Sequence, residues 1–300
     1  MFNLAWHKTY NHPLPEGHKF PMDKYDILFN KVSGKDYISK EITNPNKISR
    51  DIAELAHTRE YLDRLLALDL EKREARKMGF PVTELLMERE FRIMEGTRKL
   101  AEDAFDGRIG FNIAGGTHHA FSDRPEGFCL LNDHAIAAKW LVESGNSRRV
   151  LVIDLDVHQG NGTAEICKGD DRIFTFSMHG KDNYPLEKEK SDLDIGLPTG
   201  CGGKQYLNLL DESLSYIGKR FKADFILYQC GADVLHSDKF GRMSLSQDDV
   251  YLRDKMVFEF SKNNSLPIVS AMGGGYSPDI SDIVNVHLGT FEAAAEVFGH

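Results

Sequence analysis

Cysteine is scarce in this 300-residue chain and never paired in sequence. Cys129, Cys167, Cys201 and Cys230 are scattered, with no C-x-x-C spacing. This excludes a disulfide framework of the small secreted kind and fits reduced thiols in a cytoplasmic protein. No apolar run is long enough to span a bilayer, and no secretory leader is visible at the start. Positive charge is also in short supply. The formal charge of −9 argues against direct nucleic-acid binding by bulk electrostatics. Low-complexity tracts and internal repeats are missing too. What remains is an ordinary globular composition, 41% hydrophobic and 10% aromatic, enough for one large α/β domain or two small ones.

The stretch from Val150 to His158 organises the rest. Its aliphatic start reads as a strand buried on both faces, and it ends in Asp154, Asp156 and His158 at alternate positions. On a strand these three point the same way. Gln159-Gly160-Asn161-Gly162 then reads as a loop. Carboxylates and a neutral imidazole at the C-terminal end of a strand form a ligand set for a divalent metal. Isolated strand-end aspartates are usually caps, but three polar groups on one buried face are too costly without a partner or a metal.

Further strands are expected at Phe2–Trp6, 108–113, Arg172–Phe176, Asp224–Gln229 and Pro267–Met272. Helices are expected over Ser49–Leu70, interrupted at His57–Tyr61, and over Thr83–Ala104, with Thr83 as N-cap. Others fall at Leu131–Glu143, Lys204–Lys219, Gln247–Lys262 and Pro278–Phe298. Glu71–Lys77 is a charge run suited to a solvated helical face, broken by Gly79-Phe80-Pro81. His12–Pro21, rich in proline, and Lys181–Lys190 are expected as loops. Strands alternating with helices and no linker imply a single α/β domain over residues 1–300. Its sheet should be mostly parallel, with helices on both faces.

Each notable polar group follows an expected strand: His118-His119 after one, Asp156 and His158 after the next, then Asp233 and Tyr276. A parallel sheet brings these ends to one rim. Asp233 can complete a metal site with Asp156 and His158, three protein ligands that leave a position open for water. Adjacent histidines alone are weak evidence, since satisfied buried histidines are common. Here they suit acid/base work, Asp154 can orient an imidazole, and the Tyr276 phenol can reach a developing oxyanion.

Taken together these motifs resemble the histone deacetylase family of the arginase–deacetylase superfamily. The resemblance rests on Gly115-Gly116-Thr117-His118-His119-Ala120, Gly127-Phe128-Cys129-Leu130-Leu131-Asn132-Asp133, Ile153 to Gly162, Gly231-Ala232-Asp233 and Gly273-Gly274-Gly275-Tyr276. The His-Gln-Gly-Asn-Gly form, Ser122-Asp123-Arg124 and His57 to Leu62 look most like its class IV branch. The resemblance implies Zn²⁺ held by Asp156, His158 and Asp233, with Fe²⁺ or Mn²⁺ compatible with the same donors. His118 and His119 would flank the attacking water, His119 as general base and then acid. Asp154 would orient His118, and Tyr276 would stabilise the oxyanion. Phe128 and Tyr184 would wall a tunnel beside Gly127. A structural K⁺ is implied near Asp154, Asp156, His158 and Ser177. Asn161 stands where many relatives have an aspartate, which should leave His119 less basic.

An acid that many relatives carry before the helix at Thr83 is missing; the loop reads Lys77-Met78-Gly79-Phe80-Pro81. Met78 and Phe80 would tolerate a longer acyl chain or a small substrate. The expected activity is removal of acetyl or longer fatty acyl groups from Nε-acyl-lysine of proteins. Two alternatives stand beside it: deacetylation of a small amine such as an acetylpolyamine, and a silent acyl-lysine binding module. The arginase branch fits less well, because Asn161 and Tyr276 do not suit a two-metal site.

Overall fold

The computed structural model describes residues 1–107 and 109–300. Seven segments become strands: β1 (Asn3–Ala5), β2 (Gly110–Asn112), β3 (Val150–Asp154), β4 (Ile173–Gly180), β5 (Leu193–Leu197), β6 (Phe225–Gln229) and β7 (Ile268–Ala271). They form one sheet in the order β1-β2-β7-β6-β3-β4-β5, with every pairing parallel. β3 and β6 are buried at every position, as aliphatic strands covered on both faces must be. The strand expected over 108–113 contracts to β2, and Arg108 lies outside the described residues.

The connections carry α1 (Lys24–Val32), α2 (Arg50–Ala53), α3 (Arg59–Leu66), α4 (Lys72–Met78), α5 (Glu84–Asp103), α6 (Asp133–Glu143), α7 (Asn161–Cys167), α8 (Gly203–Arg220), α9 (Gln247–Asn263) and α10 (Ile280–Phe298). Their ends follow local chemistry. Thr58 and Thr83 cap α3 and α5 by accepting from the backbone N–H of Tyr61 and Leu86, groups with no partner inside a helix. Gly79 ends α4 at φ 90°, a left-handed conformation that glycine adopts without a Cβ penalty. Alternation along β2 shows that both faces are covered. Asn112 Nδ2 donates to Ile93 O (2.9 Å) and Thr97 Oγ1 (2.8 Å) of α5. The ring of Phe111 points the other way, 4.3 Å from that of Phe291 on α10 and 6.0 Å from that of Phe258 on α9.

Three expectations change. Asn161 and Gly162 are not loop but the first turn of α7. A Cβ on Gly162 would collide with the carbonyl of Ala120, so this glycine serves close helix packing rather than a turn. Elements also appear where none was expected: α1, the remainder of α7, and β5 at the sheet edge. Finally, β3 stops at Asp154, so the pleat does not align Asp156 and His158 with it. Side-chain turns gather them instead: Asp154 Oδ1 accepts from Asp156 N (3.1 Å), and Asp156 Oδ1 from His158 N (3.0 Å).

Candidate active site

β2, β7, β6 and β3 are consecutive in the sheet, so their C-terminal ends share one rim. Their loops deliver His118-His119, Tyr276, Asp233, and Asp156 with His158. Ligands of open α/β sheets bind at this rim.

Asp156, His158 and Asp233 are buried, and their ligand atoms lie within 4.8 Å of one another. His158 Nδ1 is 3.1 Å from Asp156 Oδ1 and 3.2 Å from Asp233 Oδ2. Two buried carboxylates around one imidazole match the donor set of a divalent cation. Backbone amides aim the acids: Gly274 N donates to Asp156 Oδ2 (3.0 Å) and Val157 N to Asp233 Oδ1 (2.9 Å). Burial pushes the Asp233 carboxyl up to about 7, and the charge of Asp156 pushes the same way. The same packing makes Gly274 a sensitive position. A Cβ there would lie 2.7 Å from Asp156 Oδ2 and closer still to Asp233 Oδ2. Gly274→Ala is therefore expected to weaken binding of a divalent metal by at least ~10-fold, read by chelator competition on folded protein; wild-type affinity would contradict this packing.

Asp154 Oδ2 bonds His118 Nδ1 at 2.7 Å, and Asn161 Oδ1 bonds His119 Nδ1 at 2.6 Å. The two histidines differ electrostatically. Burial alone would lower the His118 pKa, but Asp154 and Asp156 raise it to about 9. Burial and the neighbouring His118 and His158 hold His119 well below its usual range. Ser177 is the cross-strand partner of Asp154, with its Oγ 3.0 Å from His179 Nδ1. Asp154, Asp156, His158 and Ser177 are thus neighbours. Beneath them Arg253, paired with Asp254 at 2.7 Å, donates to the carbonyls of Leu155 (3.2 Å) and Gly231 (2.7 Å).

A cavity of roughly 480 Å³ opens over this centre. Asp156, His158, His118, His119 and Tyr276 line it, with Gly127, Phe128 and Tyr184 along its wall. The turn that presents Phe128 has positive φ at Gly127 (53°) and Phe128 (66°), a conformation costly for a bulky residue. Met78 and Phe80 do not line the cavity. They are buried, with Phe80 packed 5.2 Å from the Phe128 ring.

Several site residues carried no sequence signal. Asp182 lines the cavity mouth with Lys77 and Arg242, so an acid does stand at the rim, on a loop other than the one before α5. Lys24 is fully buried and donates to Gly273 O at 3.0 Å; burial lowers its pKa to about 8. Glu126 is buried against Tyr184, Asn161 and Lys77.

Comparison with known proteins places this geometry. The histone deacetylase domain matches residues 18–290. An uncharacterized protein of Picosynechococcus sp. is 35% identical over 298 residues, covering 99% of each chain. A histone deacetylase homologue from Aquifex aeolicus superposes with a TM-score of 0.82 at 22% identity, covering 100% of this chain and 84% of its own. The acetylpolyamine aminohydrolase of Burkholderia pseudomallei gives 0.82 at 19% identity, covering 99% of both. These two likenesses speak for the fold alone. With the family domain matched over residues 18–290, and the expected motifs gathered at one rim of the sheet, the chain belongs to the histone deacetylase family.

Proposed function

We propose that this chain is a zinc-dependent amidohydrolase that removes acyl groups from Nε-acyl-lysine of proteins, and that it belongs to the class IV branch. One observation carries the reading: Asp156, His158, the His118–His119 pair and the Tyr276 phenol all line a single cavity. Asp156, His158 and Asp233 would hold the ion, with K⁺ proposed beside Asp154 and Ser177. Bound Zn²⁺ would acidify water and polarise the scissile carbonyl.

The chain's own groups supply the rest. Phe128 and Tyr184 flank the lysine stem beside Gly127. His119 stays neutral, and its Nε2 accepts a proton as water adds to the acyl carbon. Tyr276 donates its phenolic hydrogen to the oxygen on which charge develops. The C–N bond then breaks, and His119 returns the proton to the leaving amine. A carboxylic acid and a free lysine are the products.

The mouth and the foot of the cavity support a substrate class. The mouth sets one acid, Asp182, against two bases, Lys77 and Arg242, with Lys77 already paired to Glu126; it offers no acidic cluster to hold a polycation, which favours a lysine side chain over an acetylpolyamine. The foot carries Arg89, whose side chain is 2% exposed. A long alkyl chain would end against that charged guanidinium instead of an apolar wall, at a cost, so acetyl should be preferred to myristoyl. Four buried free thiols support a reducing, cytoplasmic setting.

The test is kcat/KM on one lysine peptide carrying acetyl, octanoyl or myristoyl, against an acetylpolyamine. We expect acetyl-lysine to lead both series by at least ~10-fold, about 1.4 kcal/mol of transition-state binding. A faster acetylpolyamine would move the assignment to a small amine. Acetyl-peptide binding without acetate release would make the chain a binding module.

A further inference from the structure

We propose that Glu126 fixes the orientation of the Asn161 amide and, through it, the tautomer of His119. His119 Nδ1 lies 2.6 Å from Asn161 Oδ1, and Asn161 Nδ2 lies 3.4 Å from Glu126 Oε1. An amide has a donor end and an acceptor end that packing alone scarcely distinguishes. A neutral imidazole poses the same problem with its two nitrogens. A carboxylate does not, because it only accepts. Glu126 is the ion-pair partner of Lys77 at 2.6 Å, and its other oxygen also accepts from the Tyr184 hydroxyl. The Asn161 NH₂ must therefore face Glu126, so its oxygen faces His119. Nδ1 of His119 then carries the hydrogen, and Nε2 is left bare as the proton acceptor.

Glu126 is well placed for this task. Its side chain is 5% exposed. Its backbone closes the turn that bears Phe128 through Glu126 N to Cys129 O (3.0 Å) and Cys129 N to Glu126 O (2.9 Å). The charge that Asn161 cannot offer His119 thus stands one residue further out. Glu126 is a positioning residue: it touches neither His119 nor the metal ligands.

The kinetic consequence rests on the amidohydrolase reading above; the tautomer does not. The experiment uses full-length, zinc-loaded protein with ¹⁵N-labelled histidine, observed at one pH by long-range ¹H–¹⁵N correlation. Wild-type His119 is expected as a single tautomer protonated at Nδ1. In Glu126→Gln the new amide can present either end to Asn161, so a second His119 tautomer is expected, with kcat down ~10–100-fold and KM within about twofold. Tyr184→Phe removes the other donor on the same oxygen and should keep the single tautomer. If Glu126→Gln does not fold, Glu126→Asp keeps the charge but withdraws it from Asn161, and the same second tautomer is expected. An unchanged His119 tautomer in the Glu126 variant overturns the proposal, whatever the rate. So does a wild-type His119 protonated at Nε2. Absence of turnover in wild type, with these spectra as expected, would instead count against the proposed function.

Discussion

His158→Ala is expected to abolish both bound zinc and turnover. The three candidate ligands share one buried volume, and His158 Nδ1 faces both carboxylates. Removing the imidazole leaves two acids confronting each other with a single neutral ligand fewer, a loss larger than the ~10–100-fold typical of deleting an outer partner of a metal ligand. Zinc content per chain and kcat/KM measured on the same sample check this. Full activity without His158 would dismantle the assignment of the metal centre. The same packing predicts how affinity depends on pH. Burial alone would lower the His158 pKa, yet hydrogen bonds to Asp156 and Asp233 push it up to about 10 in the metal-free protein. Zinc requires the neutral imidazole, so binding expels that proton at any pH below about 10. Affinity should therefore rise about tenfold per pH unit between pH 7 and 8. The slope should steepen towards lower pH, as Asp233, whose carboxyl burial pushes up, also takes up a proton. Chelator competition across pH 6 to 8 would falsify the ligand assignment by returning a flat line.

Tyr276→Phe should cost ~10²–10³ in kcat, about 2.7–4 kcal/mol, with KM nearly unchanged and zinc retained. Burial, followed by the charges of Asp233 and Asp156, raises the phenol pKa well above its usual value. The hydroxyl therefore stays protonated and can donate. The ring packs against Phe20 (5.9 Å), Phe128 (6.0 Å) and Phe240 (5.0 Å), and Tyr276 N is anchored by Asp238 at 2.6 Å. A phenylalanine keeps all of these, so the experiment isolates one hydrogen bond. If kcat survives the change, the oxyanion is held elsewhere.

The parallel sheet was legible because its central strands are aliphatic runs and each is followed by a helical pattern. The acids and histidines that meet at the rim were legible because they stand just past strand ends. What escaped has physical reasons. Asp156 and His158 sit two residues apart, as pleated residues would, yet chained aspartate turns place them. Gly162 looked like a turn residue because a glycine that serves close packing has the same letter as one that serves a bend. Arg253 and Asp254 sit inside α9 as ordinary charged letters, and only the fold shows both to be 0% exposed. Lys77 stood in a charge run, which is a solvated face in most helices; half its side chain is, and its ammonium still reaches Glu126.

The order of the strands bears on how this protein is born. The proposed centre draws on loops after β2, β3, β6 and β7, and β7 lies between β2 and β6 in the finished sheet. A nascent chain emerging from the ribosome holds three of those loops before the fourth exists, and the gap between β2 and β6 stays open until β7 arrives. Tyr276 thus joins the histidines and the candidate ligands only after the last strand closes the sheet. Fragments lacking the C-terminal fifth of the chain, which carries β7 and Tyr276, should therefore be chemically inert rather than partly active.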